Sequence, residues 1–170
     1  MENFKQKLTR IKTILLDVDG VLTNGQVLIM ENGEFIRNMN SKDGYALQLA
    51  VKKGYRVSII SGGNSLAVRK ALENLGITDI FLSQHDKLQC YKDYKNELDL
   101  VEEEILYMGD DLPDYEVMKR VGIAACPFDA ANEIKDICMY ISNRKGGEGC
   151  VRDIVEQVMR SQGTWEIAGW

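Results

Sequence analysis

The chain has 170 residues, with 26 acidic against 21 basic side chains and a formal charge of −5. That length buries a hydrophobic core without disulfide or zinc staples, and 45% hydrophobic with 28% charged residues excludes disordered and fibrous classes. The acidic balance speaks against nucleic acid as a partner. The lone histidine, His85, excludes a histidine-rich metal site, and any Ser-His-Asp machinery would have to run through it.

Residues 1–12 are charged and mixed, without the apolar region of a secretory leader. No run approaches the roughly 18 apolar residues of a membrane span, so the expected location is the cytoplasm, away from membranes. Residues 13–17 are continuously aliphatic up to Asp17, as in a strand covered on both faces. Residues 26–37 then read as a β-hairpin with Asn32 and Gly33 in a tight turn. Ala46, Leu49, Ala50 and Lys53 share a helical face that Gly54 closes. A second strand is expected at 56–60, running into Ser61, Gly62 and Gly63, and a helix at 65–75 ending at Gly76. Strands follow at 80–82 and 105–108, the latter ending in Gly109, with shorter ones at 123–125 and 139–141. Val151, Ile154, Val155 and Val158 mark a last helix over 150–160. The tail, 163–170, with Trp165 and Trp170, has no clear period and is either loose or packed on a neighbouring subunit. Cys90, Cys126, Cys138 and Cys150 lack C-x-x-C spacing and read as core thiols. The expectation is one domain, 1–170, with the hairpin as its one excursion.

Alternating strands and helices imply a mostly parallel sheet wrapped by helices, with ligands at the carboxyl ends of the strands. Those ends carry Asp17-Val18-Asp19-Gly20, Ser61-Gly62, Lys87 in the segment after the third strand, and Gly109-Asp110-Asp111 followed by Asp114. Taken singly, each has an ordinary reading: an acidic turn, a helix N-terminus, a surface lysine, a cap. Together and in this order they are a phosphoryl-transfer set. Clustered carboxylates need a compensating cation, and oxygen ligands suit Mg²⁺. One Asp can attack phosphorus to give an aspartyl-phosphate, and another, two positions on, can protonate the leaving alcohol and then activate water. Ser61, backbone N–H groups and Lys87 would hold the phosphoryl oxygens.

In order and across most of the chain, these motifs resemble the four motifs of the haloacid dehalogenase-like phosphatases. The resemblance implies a Rossmann-like three-layer α/β/α sandwich, with Asp17 as nucleophile and Asp19 as general acid/base. It implies phosphoryl binding by Ser61, Gly62 and Lys87, and Mg²⁺ held by Asp17, the Asp19 carbonyl and Asp110, supported by Asp111 and Asp114. Only the hairpin stands where a cap domain would be. Residues 40–47 and 146–153 resemble the capless 3-deoxy-D-manno-octulosonate 8-phosphate phosphatases, which implies a phosphorylated keto-deoxy sugar acid from lipopolysaccharide synthesis as substrate. It also implies a homotetramer in which hairpin and neighbouring tail help close the site, and a mobile lid rather than a plain loop at 145–149. The chain departs from that pattern at Asn64 and Ala71, where arginines for the sugar carboxylate would be expected. Arg69 and Lys70 would point elsewhere on the helix, which leaves Lys42 and Arg152, beside Asn64, as candidate substrate contacts. Three alternatives remain: a nine-carbon keto-deoxy 9-phosphate as substrate, a non-catalytic oligomerising module, and a receiver domain. The intact Asp17/Asp19 pair opposes the second, and Ser61 on the middle strand, where a receiver places its phosphoacceptor, opposes the third.

Overall fold

A computed structural model of the chain describes residues 3–166. The strands are β1 (Thr13–Leu16), β2 (Leu28–Ile29), β3 (Phe35–Ile36), β4 (Arg56–Ile60), β5 (Asp79–Phe81), β6 (Ile105–Met108), β7 (Ile123–Cys126) and β8 (Tyr140–Ile141). The helices are α1 (Phe4–Leu8), α2 (Ser41–Lys52), α3 (Leu66–Asn74), α4 (Lys87–Glu97), α5 (Tyr115–Met118), α6 (Asn132–Ile137) and α7 (Cys150–Ser161). Six strands form one sheet in the order β5-β4-β1-β6-β7-β8, and every pairing in it is parallel. In β1, Thr13 aligns with Arg56 on one side and Ile105 on the other. The chain therefore leaves β1 in one direction and returns to its other edge, which makes the carboxyl end of β1 the switch point where such sheets bind ligands.

Side chains alternate across this sheet and build a core on each face. Ile14, Leu16, Ile59 and Met108 pack with residues of α2, α3 and α7. Leu15, Ile60, Tyr107 and Cys126 pack with residues of α4, α5 and α6. The result is three layers, with continuous aliphatic strands because both faces are covered. Capping follows the sequence: Ser65 accepts a hydrogen bond from the Val68 N–H to start α3, and Gly54 and Gly76, at φ of 88° and 87°, end α2 and α3. The start of α7 is capped from another element, where Asp43 Oδ1 of α2 accepts from the Arg152 N–H at 2.7 Å.

Four expectations need adjustment. The third core strand begins one residue earlier than read, at Asp79. The hairpin turns through three residues rather than two: the Gly33 N–H bonds the Met30 carbonyl, Gly33 has φ of 85°, and Met30 N–H bonds Glu34 O. This is the turn-plus-left-handed-glycine solution for a three-residue loop. The tail does not begin loose: Trp165 lies edge-on to Tyr45 at 6.3 Å, on the chain's own surface. Trp170 lies outside the described residues. Finally, residues 145–149 are tied down rather than poised as a lid. Gly146 N–H bonds Asp129, Gly147 N–H bonds the Val21 carbonyl, and Asn40 Nδ2 bonds the Gly147 carbonyl.

Gly146 and Gly147 permit close approach. A Cβ at Gly146 would stand 1.9 Å from the Gly20 carbonyl oxygen, which is backbone and cannot swing aside. Gly146→Ala is expected to cost about 2 kcal/mol through overpacking, read from urea unfolding, and to lower activity by displacing the loop that carries Asp19.

Candidate active site

The carboxyl ends of β1, β4 and β6 converge on a cleft of about 450 Å³ lined by Asp17, Asp19, Ser61, Gly62, Lys87, Asp110 and Asp111. Asp17 continues β1, its N–H bonded to the Met108 carbonyl, so its carboxylate is fixed between neighbouring strands. Its Oδ1 accepts from the Val18 N–H at 2.6 Å and its Oδ2 pairs with Lys87 Nζ at 2.9 Å. Ser61 directly follows β4, buried, with its Oγ accepting from the Gly63 N–H. That bond leaves the hydroxyl proton to be donated to a ligand.

Lys87 is the first residue of α4, where the helix dipole opposes a cation. It is 5% exposed all the same, because two carboxylates claim it: Asp17 Oδ2 and, at 2.7 Å, Asp114 Oδ1. Burial pulls the ammonium's pKa down, but these two charges more than offset it, and the net shift is upward. The ammonium stays charged and keeps a third N–H. Asp114 is fully buried and held by further donors: Tyr107 Oη donates to its Oδ1 at 2.6 Å, and the Asp110 N–H donates to its Oδ2 at 3.2 Å. Burial, with Asp114 and Asp17 nearby, lifts the Tyr107 phenol well above its usual range, so it remains a donor.

Asp17, Asp110 and Asp114 each bring a carboxylate oxygen within 4.8 Å of the others. Burial and the Asp114 charge raise Asp17 to about 7 against the opposing pull of Lys87. Burial, then Asp17, Asp114 and Asp111, raise Asp110 to about 7 as well. An all-oxygen, electron-rich, under-compensated cluster is what a hard divalent cation fits. The backbone makes room for it: a Cβ at Gly20 would meet the Asp110 carboxylate at 2.0 Å, and one at Gly109 would meet Asp114 at 2.5 Å. Asp111 is exposed at the rim, its carboxylate turned onto the Leu112 N–H.

The candidate substrate contacts are not gathered here. Lys42 is exposed in the first turn of α2. The Arg152 guanidinium sits over the rings of Tyr45 and Trp165 and pairs with Glu156. Neither lines the cleft. Arg69, as expected, points away and donates to the Ile80 carbonyl. Asn64 lines an adjoining groove of about 680 Å³ between the hairpin and α3. Two participants were missed. Tyr107 reads in sequence as a core aromatic. Arg37, at the end of the hairpin, grips Asp19 with Nε to Oδ1 at 2.6 Å and Nη2 to Oδ2 at 3.1 Å. Its only sequence signal is a cation following an apolar strand.

A parallel sheet whose switch point presents two aspartates on one strand end, a buried lysine and a further acidic pair defines an enzyme of phosphoryl transfer. Residues 76–153 match the haloacid dehalogenase-like hydrolase family. Over 95% of its length the chain is 34% identical to the 3-deoxy-D-manno-octulosonate 8-phosphate phosphatase of Escherichia coli K12, covering 86% of that protein. The phosphatase of the same name from Yersinia pestis superposes with a TM-score of 0.91 at 31% identity, over 94% of this chain and 86% of that one. That of Moraxella catarrhalis, solved with magnesium, phosphate and 3-deoxy-D-manno-octulosonate (KDO), gives 0.91 at 30% identity, over 95% and 92%. The chain belongs to the haloacid dehalogenase-like phosphatases, in the capless branch that resembles these octulosonate phosphatases.

The raised carboxyls make the metal-free fold sensitive to pH. Asp17 and Asp110 hold protons when folded between 3.8, their ordinary value, and about 7. The folded state binds more protons than the unfolded chain across that window, so this contribution to stability is present at low pH and is lost as pH rises. A divalent ion offsets the loss, and Mg²⁺ is expected to raise Tm more at about pH 8 than at about pH 6. Equal increments in paired melting curves would remove these carboxylates from metal binding.

Proposed function

We propose that the chain hydrolyses the phosphomonoester of a phosphorylated keto-deoxy sugar acid, with 3-deoxy-D-manno-octulosonate 8-phosphate as substrate, in the cytoplasmic synthesis of lipopolysaccharide sugar. The observation that carries the chemistry is the buried Lys87 held between Asp17 and Asp114, beside Asp110 at the sheet's switch point. The names of the relatives and the sugar acid bound in the Moraxella enzyme support the substrate.

Asp17, Asp110 and the Asp19 carbonyl would hold Mg²⁺, with Asp114 and Asp111 in support. When bound, the ion neutralises phosphate charge and lets an anionic nucleophile approach. The substrate's phosphoryl oxygens meet the third N–H of Lys87, the Ser61 hydroxyl and the backbone N–H groups of the turn through Gly62. The Asp17 carboxylate attacks phosphorus, the ester P–O bond breaks, and Asp19, having taken a proton from solvent and given up one of its two bonds to Arg37, passes that proton to the departing sugar oxygen. Asp19 then takes a proton from water, whose oxygen attacks phosphorus, releasing phosphate and regenerating Asp17.

No helix among the described residues is long and apolar enough to cross a membrane. The hairpin exposes Leu28, Ile29, Phe35 and Ile36, and two strands of this size do not stabilise themselves in water. We assign that surface to contacts within a homotetramer. Ile29→Asp is expected to yield smaller species in analytical ultracentrifugation, and a mass unchanged from wild type would separate the hairpin from assembly.

The functional test is phosphate release from eight- and nine-carbon keto-sugar acid phosphates and neutral sugar phosphates, with and without Mg²⁺. The octulosonate 8-phosphate is expected to give the highest kcat/KM. A preference for the nine-carbon 9-phosphate would keep the chemistry and change the substrate. Asp17→Asn should lose turnover by about a thousandfold or more, whereas Asp19→Asn should slow both formation and breakdown of the intermediate. Mg²⁺-dependent turnover by pure Asp17→Asn protein at near wild-type rate would exclude the covalent route.

A further inference from the structure

Arg37 stands where the catalytic cleft meets the groove between the hairpin and α3. It lines the groove together with Asn64 and Ala71, while its partner Asp19 lines the cleft. Among the residues lining these two spaces, Arg37 and Lys87 are the lysines and arginines. Lys87 is committed to Asp17, Asp114 and the phosphoryl group. A substrate that puts its phosphate on Asp17 and extends into the groove therefore finds one cation for an acidic group at its far end.

The geometry of Arg37 suits that task. A guanidinium has two forked edges and five N–H donors. The edge formed by Nε and Nη2 is spent on the two oxygens of Asp19, and Nη1 donates to the Phe35 carbonyl at a long 3.4 Å. Three of the five donors are thus engaged, leaving two, and among the described residues no hydrogen bond uses the remainder. The side chain as a whole is only 10% exposed, and what it presents lines the groove. Gly63 lies beside this arrangement: a Cβ there would stand in ordinary contact with the pair, 3.4 Å from Asp19 Oδ2 and 3.5 Å from Arg37 Nη2.

We propose that Arg37 is a specificity-determining residue: its outer N–H edge receives the carboxylate of the keto-sugar acid while its inner edge holds Asp19. One planar group then links the acidic end of the substrate to the residue that serves the leaving oxygen, and the hairpin supplies a recognition group within the groove, which neither Lys42 nor Arg152 lines. This rests on the phosphatase reading above and names the residue that selects an acidic substrate.

The test compares kcat/KM for octulosonate 8-phosphate with that for a neutral sugar phosphate, in wild type, Arg37→Gln and Arg37→Lys. In wild type the acid is preferred. In Arg37→Gln the acid-to-neutral ratio is expected to fall about tenfold or more, chiefly through KM for the acid, as losing a charge-assisted contact predicts. Arg37→Lys keeps the charge but not the fork, and should fall between the two. Should Arg37→Gln fail to fold by circular dichroism, the drop in ratio for Arg37→Lys decides. A ratio that survives in both variants overturns the proposal: equal losses on both substrates would reduce Arg37 to positioning Asp19, and no loss would make it a surface pair. A wild-type ratio near one would instead defeat the sugar-acid reading itself, and the proposal with it.

Discussion

Asp17, Asp110 and Asp114 share one rim of the sheet with a single buried ammonium, Lys87. Charge compensation at that rim is the constraint on which the rest of the site depends. Burying a lysine at a helix N-terminus is unfavourable twice over, through desolvation and through the dipole. It persists because Asp17 and Asp114 receive it at hydrogen-bonding distance and Tyr107 and the Asp110 N–H complete Asp114. Removing either partner of such a buried pair leaves an uncompensated charge, typically a loss of about 3–5 kcal/mol. One positive charge still does not balance three carboxylates. Burial first, and this remaining excess second, raise Asp17 and Asp110, and together they create the demand for a divalent ion.

The same cluster dictates where side chains must be missing. Gly20 lies against the Asp110 carboxylate, Gly109 against Asp114, and Gly146 against the Gly20 carbonyl. Three glycines distant in sequence therefore stack the loops after β1, after β6 and before α7 at near-backbone distance. Thr23, buried beneath them, accepts from the N–H groups of Gly20 and Gly25 through its hydroxyl. A loop held this way gives the Asp19 turn little freedom, as preorganised phosphoryl transfer requires. It also accounts for Gly146 and Gly147, which are spaces for neighbouring backbone, whereas Gly149 serves a positive φ of 101° at the start of α7.

Much of this was legible from residue order. The aliphatic run ending at Asp17, the β4 boundaries and the closing glycines Gly54 and Gly76 follow from burial on both faces and from local backbone chemistry, both written in sequence. The helix α4 was not read, because Tyr91 and Tyr94 are its deeply buried aromatics amid a polar composition and tertiary packing, not propensity, holds it. Short α5 and α6 fail for the same reason. In the site, residues following strand ends could be placed, since a parallel sheet fixes where those ends lie. Arg37 and Tyr107 could not, because their roles arise from contacts across 18 and 7 positions that no local pattern encodes. Arg152 misled in the converse way: a cation near a glycine-rich motif is spent instead on the rings of Tyr45 and Trp165.

The hairpin is where fold and selectivity meet. With it in the place of a cap domain, Asp19 keeps about a third of its side chain exposed and the cleft opens outward. The single chain does not enclose a substrate, so the discrimination it supplies by itself comes from charge placed at a set distance from the phosphate-binding end. The hairpin supplies that charge through Arg37 and, on the strands leading to it, presents apolar side chains unsuited to remaining in water. Two strands alone are too small to hold a guanidinium steady. Asp19 anchors Arg37 from the catalytic side, and packing of the exposed apolar residues would anchor it from the other. Were the hairpin packed between subunits as proposed, assembly and acid recognition would be coupled through one short element, since whatever steadies the hairpin also fixes the cation that reads the substrate.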